Sequence, residues 1–411
     1  MSPLYDALEA RDPREREADL LSRLPLQIAH ARANAPFYRK AFASVDPRTI
    51  SSRLALAALP VTRKSDLTAL QAAARPFGGL NATPPSALAR IFVSPGPIYD
   101  PEGRSPDFWH TARALFAAGF RGGDVVLNCF SYHFTPAGSM FETGLHHLGC
   151  AVIPGGVGQT ELQAHAIADL SASGYVGTPS FLKLILEKCD ELGLASSSLR
   201  RALVSGEAFM PNVRAFLEGR GIEAFQAYGT ADLGVIAYET PAREGLVLNE
   251  EMILEILRLG TGDPVPEGEV GEVAITTFNA DYPLVRFATG DLSAVLPGRS
   301  PCGRSNMRIK GWMGRADQAT KVRGMFVHPH QVAEVLRRHG LERGRLVVGN
   351  ESGEDRMTLR VEHDGAPDAN RASAVAATLR EITKVRGNVE FVSPGSLPND
   401  GKVIEDTRDY S

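Results

Sequence analysis

The sequence has few cysteines, no excess of positive charge and no long apolar run. Its four cysteines lie far apart and include no CxxC pair: Cys129, Cys150, Cys189 and Cys302. So sparse a set excludes a dense disulfide framework and fits a reducing compartment. The formal net charge of -4 gives no electrostatic reason to expect nucleic acid as a partner.

The apolar runs are also shorter than the roughly 18 residues that a membrane-spanning helix requires. The first residues contain no basic stretch followed by an apolar core, so they do not resemble a signal peptide. Hydrophobic residues make up 43% of the chain and charged residues 22%, the balance of a globular protein. We therefore expect a cytoplasmic protein that binds no membrane.

The pattern of apolar residues divides the chain into regions. Between residues 90 and 228 short strands alternate with helices, which predicts parallel sheets covered by helices. Several short strands separated by turns follow and predict an antiparallel subdomain. A last alternation of helix and strand predicts a small α/β domain. We expect an α/β fold with a large domain over residues 1–316 and a small, mobile C-terminal domain over residues 317–411.

The strongest local motif is Arg-Phe-Ala-Thr-Gly-Asp, which ends at Asp291. A strand is expected to run into a Thr-Gly turn that presents the Asp291 carboxylate. A carboxylate can accept hydrogen bonds from both hydroxyls of a ribose. Taken alone, the pattern fits a strand-ending turn with a capping aspartate better.

Two more motifs follow predicted strands, at the edge where open α/β sheets bind ligands. In the segment from Tyr228 to Asp232, the tyrosine can stack on a base and the aspartate can hold Mg²⁺. The backbone from Gly206 to Ala208 could approach an adenine. Plain turns between strand and helix are the alternative for both.

Two charged segments lie near the expected domain boundary and the C-terminus. Residues 314–324 are rich in glycine and charge, which suits either a hinge or an exposed loop. A turn over residues 398–401 projects Lys402. A lysine carried by a mobile domain can neutralise charge on a phosphoryl group, although alone it is better explained as a surface lysine.

In this order the motifs resemble the adenylate-forming superfamily, and the phenylacetate–CoA ligase family in particular. Four further segments resemble that family, so the similarity covers nearly the whole chain: residues 14–31, 59–67, 177–180 and 327–332. The resemblance implies two steps. A carboxylate attacks the α-phosphate of ATP to give acyl-AMP and pyrophosphate, and the thiol of CoA then displaces AMP after the small domain rotates.

The resemblance also implies a role for individual residues. The nucleotide would be held by Gly206, Glu207, Ala208, Tyr228, Gly229, Thr230, Asp291, Arg315 and Arg323. Asp317 would be the hinge residue, and Lys402 would serve the adenylation step. Tyr132 and Phe134 would line the acid pocket, with core packing as the alternative. The implied partners are an aromatic or small organic acid, ATP, CoA, Mg²⁺ at Asp232, and a second copy in a homodimer.

The stretch over residues 94–103 departs from the family's phosphate loop. Such a loop cradles phosphates with backbone N–H groups, hydroxyls and a lysine. Ser94 and Gly96 match it, but the prolines on both sides of Gly96 have no N–H to donate. Ile98 stands in place of a hydroxyl. Asp100 stands in place of the lysine and would repel pyrophosphate.

A second departure concerns a Cys/His cluster that could hold a structural metal in some relatives. The matching positions are Thr240, Val247, Ser300 and Cys302. Because one cysteine cannot make a tetrahedral site, we expect no structural zinc.

Three functions remain open from the sequence. The first is an active ligase with a reshaped phosphate loop, favoured because Lys402 has no evident use otherwise. The second is a binding or regulatory protein on the ligase scaffold, which holds an acyl-adenylate, AMP or a CoA ester without using ATP. The third is a transferase that passes a preformed acyl-adenylate to CoA or a carrier protein.

Overall fold

A computed structural model describes residues 4–258, 261–313, 315–316, 320–327, 329–351, 354–365, 369–398 and 402–408. Contacts divide the chain into two compact units, Met1–Met313 and Gly314–Ser411. Within the described ranges, no helix is both long enough and apolar enough to cross a membrane.

The helices of the first unit are α1 Pro13–Asn34, α2 Pro36–Ala41, α3 Arg53–Ala57, α4 Leu67–Ala73, α5 Thr111–Ala117, α6 Ala137–Leu148, α7 Thr160–Asp169, α8 Pro179–Leu192 and α9 Pro211–Glu218. Its strands are β1 Thr62–Arg63, β2 Arg90–Ser94, β3 Ile98–Glu102, β4 Val125–Asn128, β5 Ala151–Ile153, β6 Gly174–Gly177, β7 Arg201–Val204, β8 Glu223–Thr230, β9 Gly234–Glu239, β10 Leu246–Leu248, β11 Met252–Leu257, β12 Gly271–Thr277, β13 Phe287–Ser293, β14 Val295–Leu296 and β15 Arg308–Ile309.

The main sheet has the strand order β14-β15-β10-β9-β8-β7-β6-β4-β5. Strands β4 to β8 pair in parallel, joined by helices, as the alternating pattern predicts. From β8 onward the same sheet continues with antiparallel pairs. The expected parallel region and part of the expected antiparallel subdomain are therefore one continuous sheet.

A second sheet has the strand order β1-β13-β12-β11, and its strand β13 contains Asp291. The sequence predicts two strands, over 284–287 and 292–295, with a turn at Thr289-Gly290 between them. This prediction is wrong in detail, because β13 runs unbroken through the turn. Residues 289–291 bulge from β13 opposite Val273. A bulge re-aims side chains without ending the strand, and this one presents Asp291.

The spacing of apolar residues predicts a helix from Arg14 to Ala33, and α1 confirms it almost to the residue. The Asp12 side chain caps it by accepting a hydrogen bond from the backbone N–H of Arg14 at 2.8 Å. Leu20, Leu24 and Ile28 recur at helical spacing and are buried in one core with residues of the second sheet.

Arg286 ties the start of β13 to three other segments. Its guanidinium is buried and pairs with the Glu255 carboxylate of β11, with an Nη2–Oε1 distance of 3.0 Å. It also donates to the carbonyls of Ala57 and Leu59, just before β1, and of Gly262. Arg286 thus fixes β1 and β13 relative to each other.

The second unit is a small α/β domain, as predicted. Its strands are β16 Thr320–Val322, β17 Met325–Val327, β18 Gly344–Glu351, β19 Glu354–Glu362, β20 Asn388–Val392 and β21 Ile404–Asp406, and its helices are α10 Pro329–Arg338 and α11 Ala369–Thr383. The order β20-β19-β18-β21 forms its main sheet. Apolar residues of both helices pack with this sheet in one core, which includes Val335, Leu346 and Leu379.

Replacing Arg286 by Met is expected to destabilise the protein by about 3–5 kcal/mol, because Glu255 is left as a buried, unpaired charge. Urea denaturation at pH 7 measures the loss. The double variant R286M/E255L should recover much of it, since neither charge then remains. The exposed pair of Arg258 and Glu269 offers a control, for which Arg258→Ala should cost about 1 kcal/mol or less. Equal losses in R286M and in the double variant would contradict this account.

Candidate functional site

Loops from both sheets of the first unit converge at the carboxyl end of the parallel strands. The turn after β7 begins at Ser205, whose hydroxyl donates to the carbonyl of Ala227 in β8 at 2.7 Å. A side-chain carbon added to Gly206 would lie 3.6 Å from Thr178 and 3.9 Å from Phe130, which follow β6 and β4. Four parallel-strand ends therefore meet at one edge, where open α/β sheets bind ligands.

Tyr228 and Asp291 come together across the two sheets. The Tyr228 hydroxyl donates to Asp291 Oδ2 at 2.9 Å, and both residues are buried to 8% exposure. Trp312 Nε1 donates to Asp291 Oδ1 at 3.1 Å. The carboxylate is thus held from both sides. Sequence reasoning missed Trp312, whose only signal was its rarity, since the chain has two tryptophans.

The β13 bulge itself holds Asp291 in place. The backbone N–H of Asp291 donates to Thr289 Oγ1 at 3.1 Å, and that hydroxyl donates to the carbonyl of Val273 at 3.2 Å. The N–H of Gly290 donates to the Glu272 carboxylate at 3.2 Å. Gly290 has a φ of 77°, a conformation that favours glycine.

The turn over Gly206, Glu207 and Ala208 lies at the surface, with Gly206 and Glu207 exposed. The Glu207 carboxylate accepts the backbone N–H of Ser180 at 2.7 Å, in the first turn of α8. This is a helix-capping contact. The Glu207 side chain therefore has a local partner at the start of α8.

Gly229, Thr230 and Asp232 shape the turn between β8 and β9. A side chain on Gly229 would lie 2.5 Å from the Gly234 carbonyl, so only glycine fits there. Thr230 Oγ1 accepts the N–H of Leu233 at 3.2 Å. The Asp232 carboxylate is buried and forms an ion pair with Lys64, with an Nζ–Oδ2 distance of 2.5 Å. Sequence reasoning assigned Asp232 to a metal and did not foresee this lysine.

The stretch expected to be a loop over residues 95–103 is mostly a β-hairpin. Strands β2 and β3 pair from Arg90↔Glu102 to Ser94↔Ile98, which leaves a three-residue turn around Gly96. The N–H of Val93 donates to the carbonyl of Phe134 at 2.8 Å, which attaches the hairpin to the loop after β4. The turn has a single N–H group, that of Gly96, and cannot form a cradle of backbone donors.

Asp100 points from β3 into the interior and is fully buried. Ser94 lies near it, but among the described residues neither carboxylate oxygen has a hydrogen-bond partner of normal geometry. Burial, followed by the charge of Asp232, raises the pKa of Asp100 to about 8, against the opposing influence of Lys64. The carboxyl is therefore mostly neutral at pH 7, which removes much of the repulsion that the sequence predicts between it and pyrophosphate.

Tyr132 and Phe134 have different environments. The Tyr132 hydroxyl donates to the Glu142 carboxylate at 2.6 Å and accepts from Asn128 Nδ2 at 2.8 Å. Its ring lies so close to Gly138 that a side-chain carbon there would approach to 2.8 Å. Phe134 is 77% exposed, so the alternative of core packing is wrong for it.

Three of the four positions matched to a metal cluster form a polar cluster instead. Ser300 Oγ lies 3.0 Å from Cys302 Sγ, and Arg304 Nη1 donates to the sulfur at 3.5 Å. Burial raises the pKa of Cys302, but hydrogen bonds from Ser300, Thr240 and Arg304 outweigh burial and lower it overall. In the part of the chain that the structure describes, no three His, Cys, Asp or Glu residues are grouped as metal ligands.

The remaining candidates belong to the second unit. The backbone N–H of Arg323 donates to Asp355 Oδ2 at 2.9 Å, and its Nε donates to the Asp355 carbonyl at 3.1 Å. Lys402 is exposed and lies two residues before β21. Arg315 is partly buried. Asp317 lies outside the described residues.

Comparison with known proteins gives a consistent set of relatives. Residues 107–279 match the family model of the AMP-binding enzymes. A phenylacetate-coenzyme A ligase of Aromatoleum evansii is 32% identical over 89% of this chain and 85% of its own length. A ligase of the same name from Thermus thermophilus is 31% identical, over 85% of this chain and 82% of its own.

A solved structure of 2-hydroxyisobutyryl-CoA ligase, in complex with 2-HIB-AMP and CoA, has the same fold. It superposes with a TM-score of 0.81 over 100% of this chain and 93% of that one, at 24% identity. A second structure of that ligase, in the postadenylation state, gives a TM-score of 0.73 over 98% of this chain.

Replacing Asp100 by Asn is expected to change how stability depends on pH. With a folded-state pKa of about 8 and an unfolded one of roughly 4, the carboxyl binds more protons in the folded state between these values. Its contribution is therefore complete below pH 4 and lost as pH rises through 8. The Asn variant should gain stability relative to the parent between pH 5 and 8.5, measured by urea denaturation.

The exposed Asp169 provides the control, and Asp169→Asn should follow the parent at every pH. Parallel pH curves for D100N and the parent would show that Asp100 is ionised in the folded protein.

Proposed function

Because the chain belongs to the phenylacetate-coenzyme A ligase family, we propose that it is an AMP-forming carboxylate–CoA ligase. It activates an acid with ATP to acyl-AMP and then forms the CoA thioester. The observation that carries the proposal is the contact between Tyr228 and Asp291 at the edge where the loops of both sheets converge. The tyrosine hydroxyl lies 2.9 Å from Asp291 Oδ2. Together the two residues offer an aromatic ring for a base and a carboxylate for a ribose.

The nucleotide lies on surfaces that different elements supply. The Asp291 carboxylate accepts hydrogen bonds from the ribose hydroxyls. Tyr228, Gly229 and Thr230 position the adenosine. The exposed backbone from Gly206 to Ala208 faces the adenine. Because Trp312 and Tyr228 already hold the carboxylate, little side-chain entropy is lost when the ribose binds.

Asp232 is the residue that would hold Mg²⁺. Its Oδ1 is buried and, among the described residues, has no hydrogen-bond partner, so this oxygen is available to coordinate a cation. The metal would neutralise charge on the phosphates.

The acid lies beside Tyr132, with Phe134 at the entrance. An aromatic or small organic acid fits the family resemblance. The Tyr132 hydroxyl is already bonded to Glu142 and Asn128, so its ring, rather than its hydroxyl, is the surface offered to the acid. Phe134 is exposed enough to cover a bound ring.

The second unit supplies the remaining groups in turn. We assign the hinge to Asp317, between a domain of residues 1–316 and one of 317–411, with Arg315 and Arg323 beside it as nucleotide ligands. Lys402 contacts the phosphoryl oxygens during adenylation, and rotation of the unit then admits CoA. The active form is a homodimer, by family resemblance.

The hairpin over residues 90–102 favours one alternative. With two prolines in its turn and no cradle of N–H groups, it also suits a protein that binds an acyl-adenylate, AMP or a CoA ester without adenylation. Pyrophosphate release separates the two functions.

With ATP, Mg²⁺ and a panel of aromatic and short-chain carboxylic acids, the protein should release pyrophosphate with at least one acid and form its CoA thioester. Coupled pyrophosphate detection and mass spectrometry of the thioester measure the two steps. Thioester formation from a synthetic acyl-adenylate, without pyrophosphate release from any acid and ATP, would establish a transferase instead.

Lys402→Ala is expected to slow pyrophosphate release by at least tenfold, because the phosphoryl charge loses a cation. Thioester formation from a synthetic acyl-adenylate should change less than threefold. The exposed Arg380, in helix α11 of the same unit, provides the control, and Arg380→Ala should leave both rates unchanged. Equal slowing of both steps in K402A would contradict a role in adenylation alone.

A further inference from the structure

Lys64 lies at the same sheet edge as the proposed ribose ligand. Strand β1 pairs in parallel with β13, with Thr62 opposite Phe287 and Arg63 opposite Ala288. Lys64 follows directly and begins a short 3-10 turn that contacts β13, the strand that carries Asp291. Because parallel strands end at a common edge, β1 delivers an ammonium group where β13 delivers a carboxylate.

The ammonium group of Lys64 forms an ion pair with a buried carboxylate. Its Nζ is 2.5 Å from Asp232 Oδ2. Burial disfavours the charged form, but the charge of Asp232 and its hydrogen bond to the ammonium group are the main influences that outweigh burial and raise the pKa of Lys64.

Atoms around this cation have unused hydrogen-bonding capacity. Among the residues that the structure describes, Asp232 Oδ1 and the Tyr282 hydroxyl lack hydrogen-bond partners, and both side chains are buried. Such groups are costly unless something else pairs with them. The Lys64 side chain is 23% exposed while that of Asp232 is fully buried, so an incoming ligand meets the ammonium group first.

The 94–103 stretch and the turn between β8 and β9 carry no basic residue of their own, although the Arg75 guanidinium lies 5.8 Å from the centroid of the Tyr99 ring. The sequence from Ser94 to Gly103 contains no Lys or Arg, and neither does the turn from Thr230 to Leu233. Arg90, at the far end of the hairpin, pairs with Glu102. Lys64 is thus a basic side chain that pairs with the proposed metal ligand Asp232, beside the strand that carries the proposed ribose ligand Asp291.

We propose that Lys64 binds the β- and γ-phosphates of ATP and so supplies the positive charge that the 94–103 stretch lacks. In the adenylation step an oxygen of the acid forms a bond to the α-phosphorus, and the bond from that phosphorus to the bridging oxygen breaks. The electron pair leaves on pyrophosphate. Lys64 stabilises this charge and transfers no proton, while Asp232 is its partner before ATP arrives.

This inference rests on the proposed function and adds a distinction between two nucleotides. AMP has no β- or γ-phosphate, so Lys64 should matter for ATP and hardly at all for AMP. Asp291, which both nucleotides contact through the ribose, should matter for both.

The test compares the equilibrium dissociation constants of ATP and AMP, by calorimetry with Mg²⁺ and without acid. Lys64→Gln removes the charge while keeping a donor for Asp232, and should weaken ATP binding at least tenfold and AMP binding less than threefold. Asp291→Asn should weaken both. The exposed Lys310 is the matched control, and Lys310→Ala should change neither.

Equal weakening of both nucleotides in K64Q, or no weakening, would overturn the assignment. Wild-type protein that binds AMP but not ATP would also overturn it and favour the function without adenylation. Wild-type protein that binds neither nucleotide would remove the proposed function itself.

A second measurement avoids variants that fail to fold. Lysines of the wild-type protein are modified with an amine-reactive acylating reagent and mapped by mass spectrometry. ATP and inorganic pyrophosphate should each protect Lys64 at least fivefold, whereas AMP should protect it less than twofold. Equal protection by AMP and ATP would place Lys64 away from the terminal phosphates.

Discussion

The site depends on the buried guanidinium of Arg286, which holds several segments together. It joins Glu255 of β11 to the carbonyls of Ala57 and Leu59, which lead into β1, and it stands directly before β13. Removing a guanidinium from water is costly, and the cost is offset because these three groups and the carbonyl of Gly262 all accept hydrogen bonds from it. The result is a fixed offset between two short strands, and that offset sets the position of Lys64 relative to Asp291.

The sequence predicted the parts of the molecule that local patterning controls. Helix α1 and the alternating strands from β4 to β8 follow from periodicity, whereas a shared site for Tyr228 and Asp291 was implied by the family resemblance. The β13 bulge was missed, because the Thr-Gly pair signals a turn locally while pairing with β12 keeps the strand continuous. The hairpin over residues 90–102 was missed for a similar reason. The prolines of residues 95–101 indicate a loop, but residues 98–102 form strand β3 because they pair with β2.

Contacts across long sequence separations could not be predicted at all. Lys64 and Asp232 are separated by 168 residues, and neither residue's surroundings in the sequence announce an ion pair. Trp312 likewise reaches Asp291 from outside the recognised motif. The effect of Asp100 was also misjudged from sequence, because its charge depends on burial, which raises its pKa to about 8. Composition gives a residue its nominal charge, and only the fold decides whether that charge is present.

The position of Lys64 at a sheet edge affects how much conformational entropy is lost when phosphates bind. A lysine on a flexible glycine-rich loop must lose both backbone and side-chain freedom when phosphates bind. Lys64 follows a strand whose backbone is already paired with β13, and its side chain is already held by Asp232. Such a cation is ordered before the ligand arrives, so binding exchanges one partner for another. The main free-energy cost of phosphate binding is then not the ordering of Lys64. It is the displacement of the Asp232 carboxylate, which already pairs with the lysine.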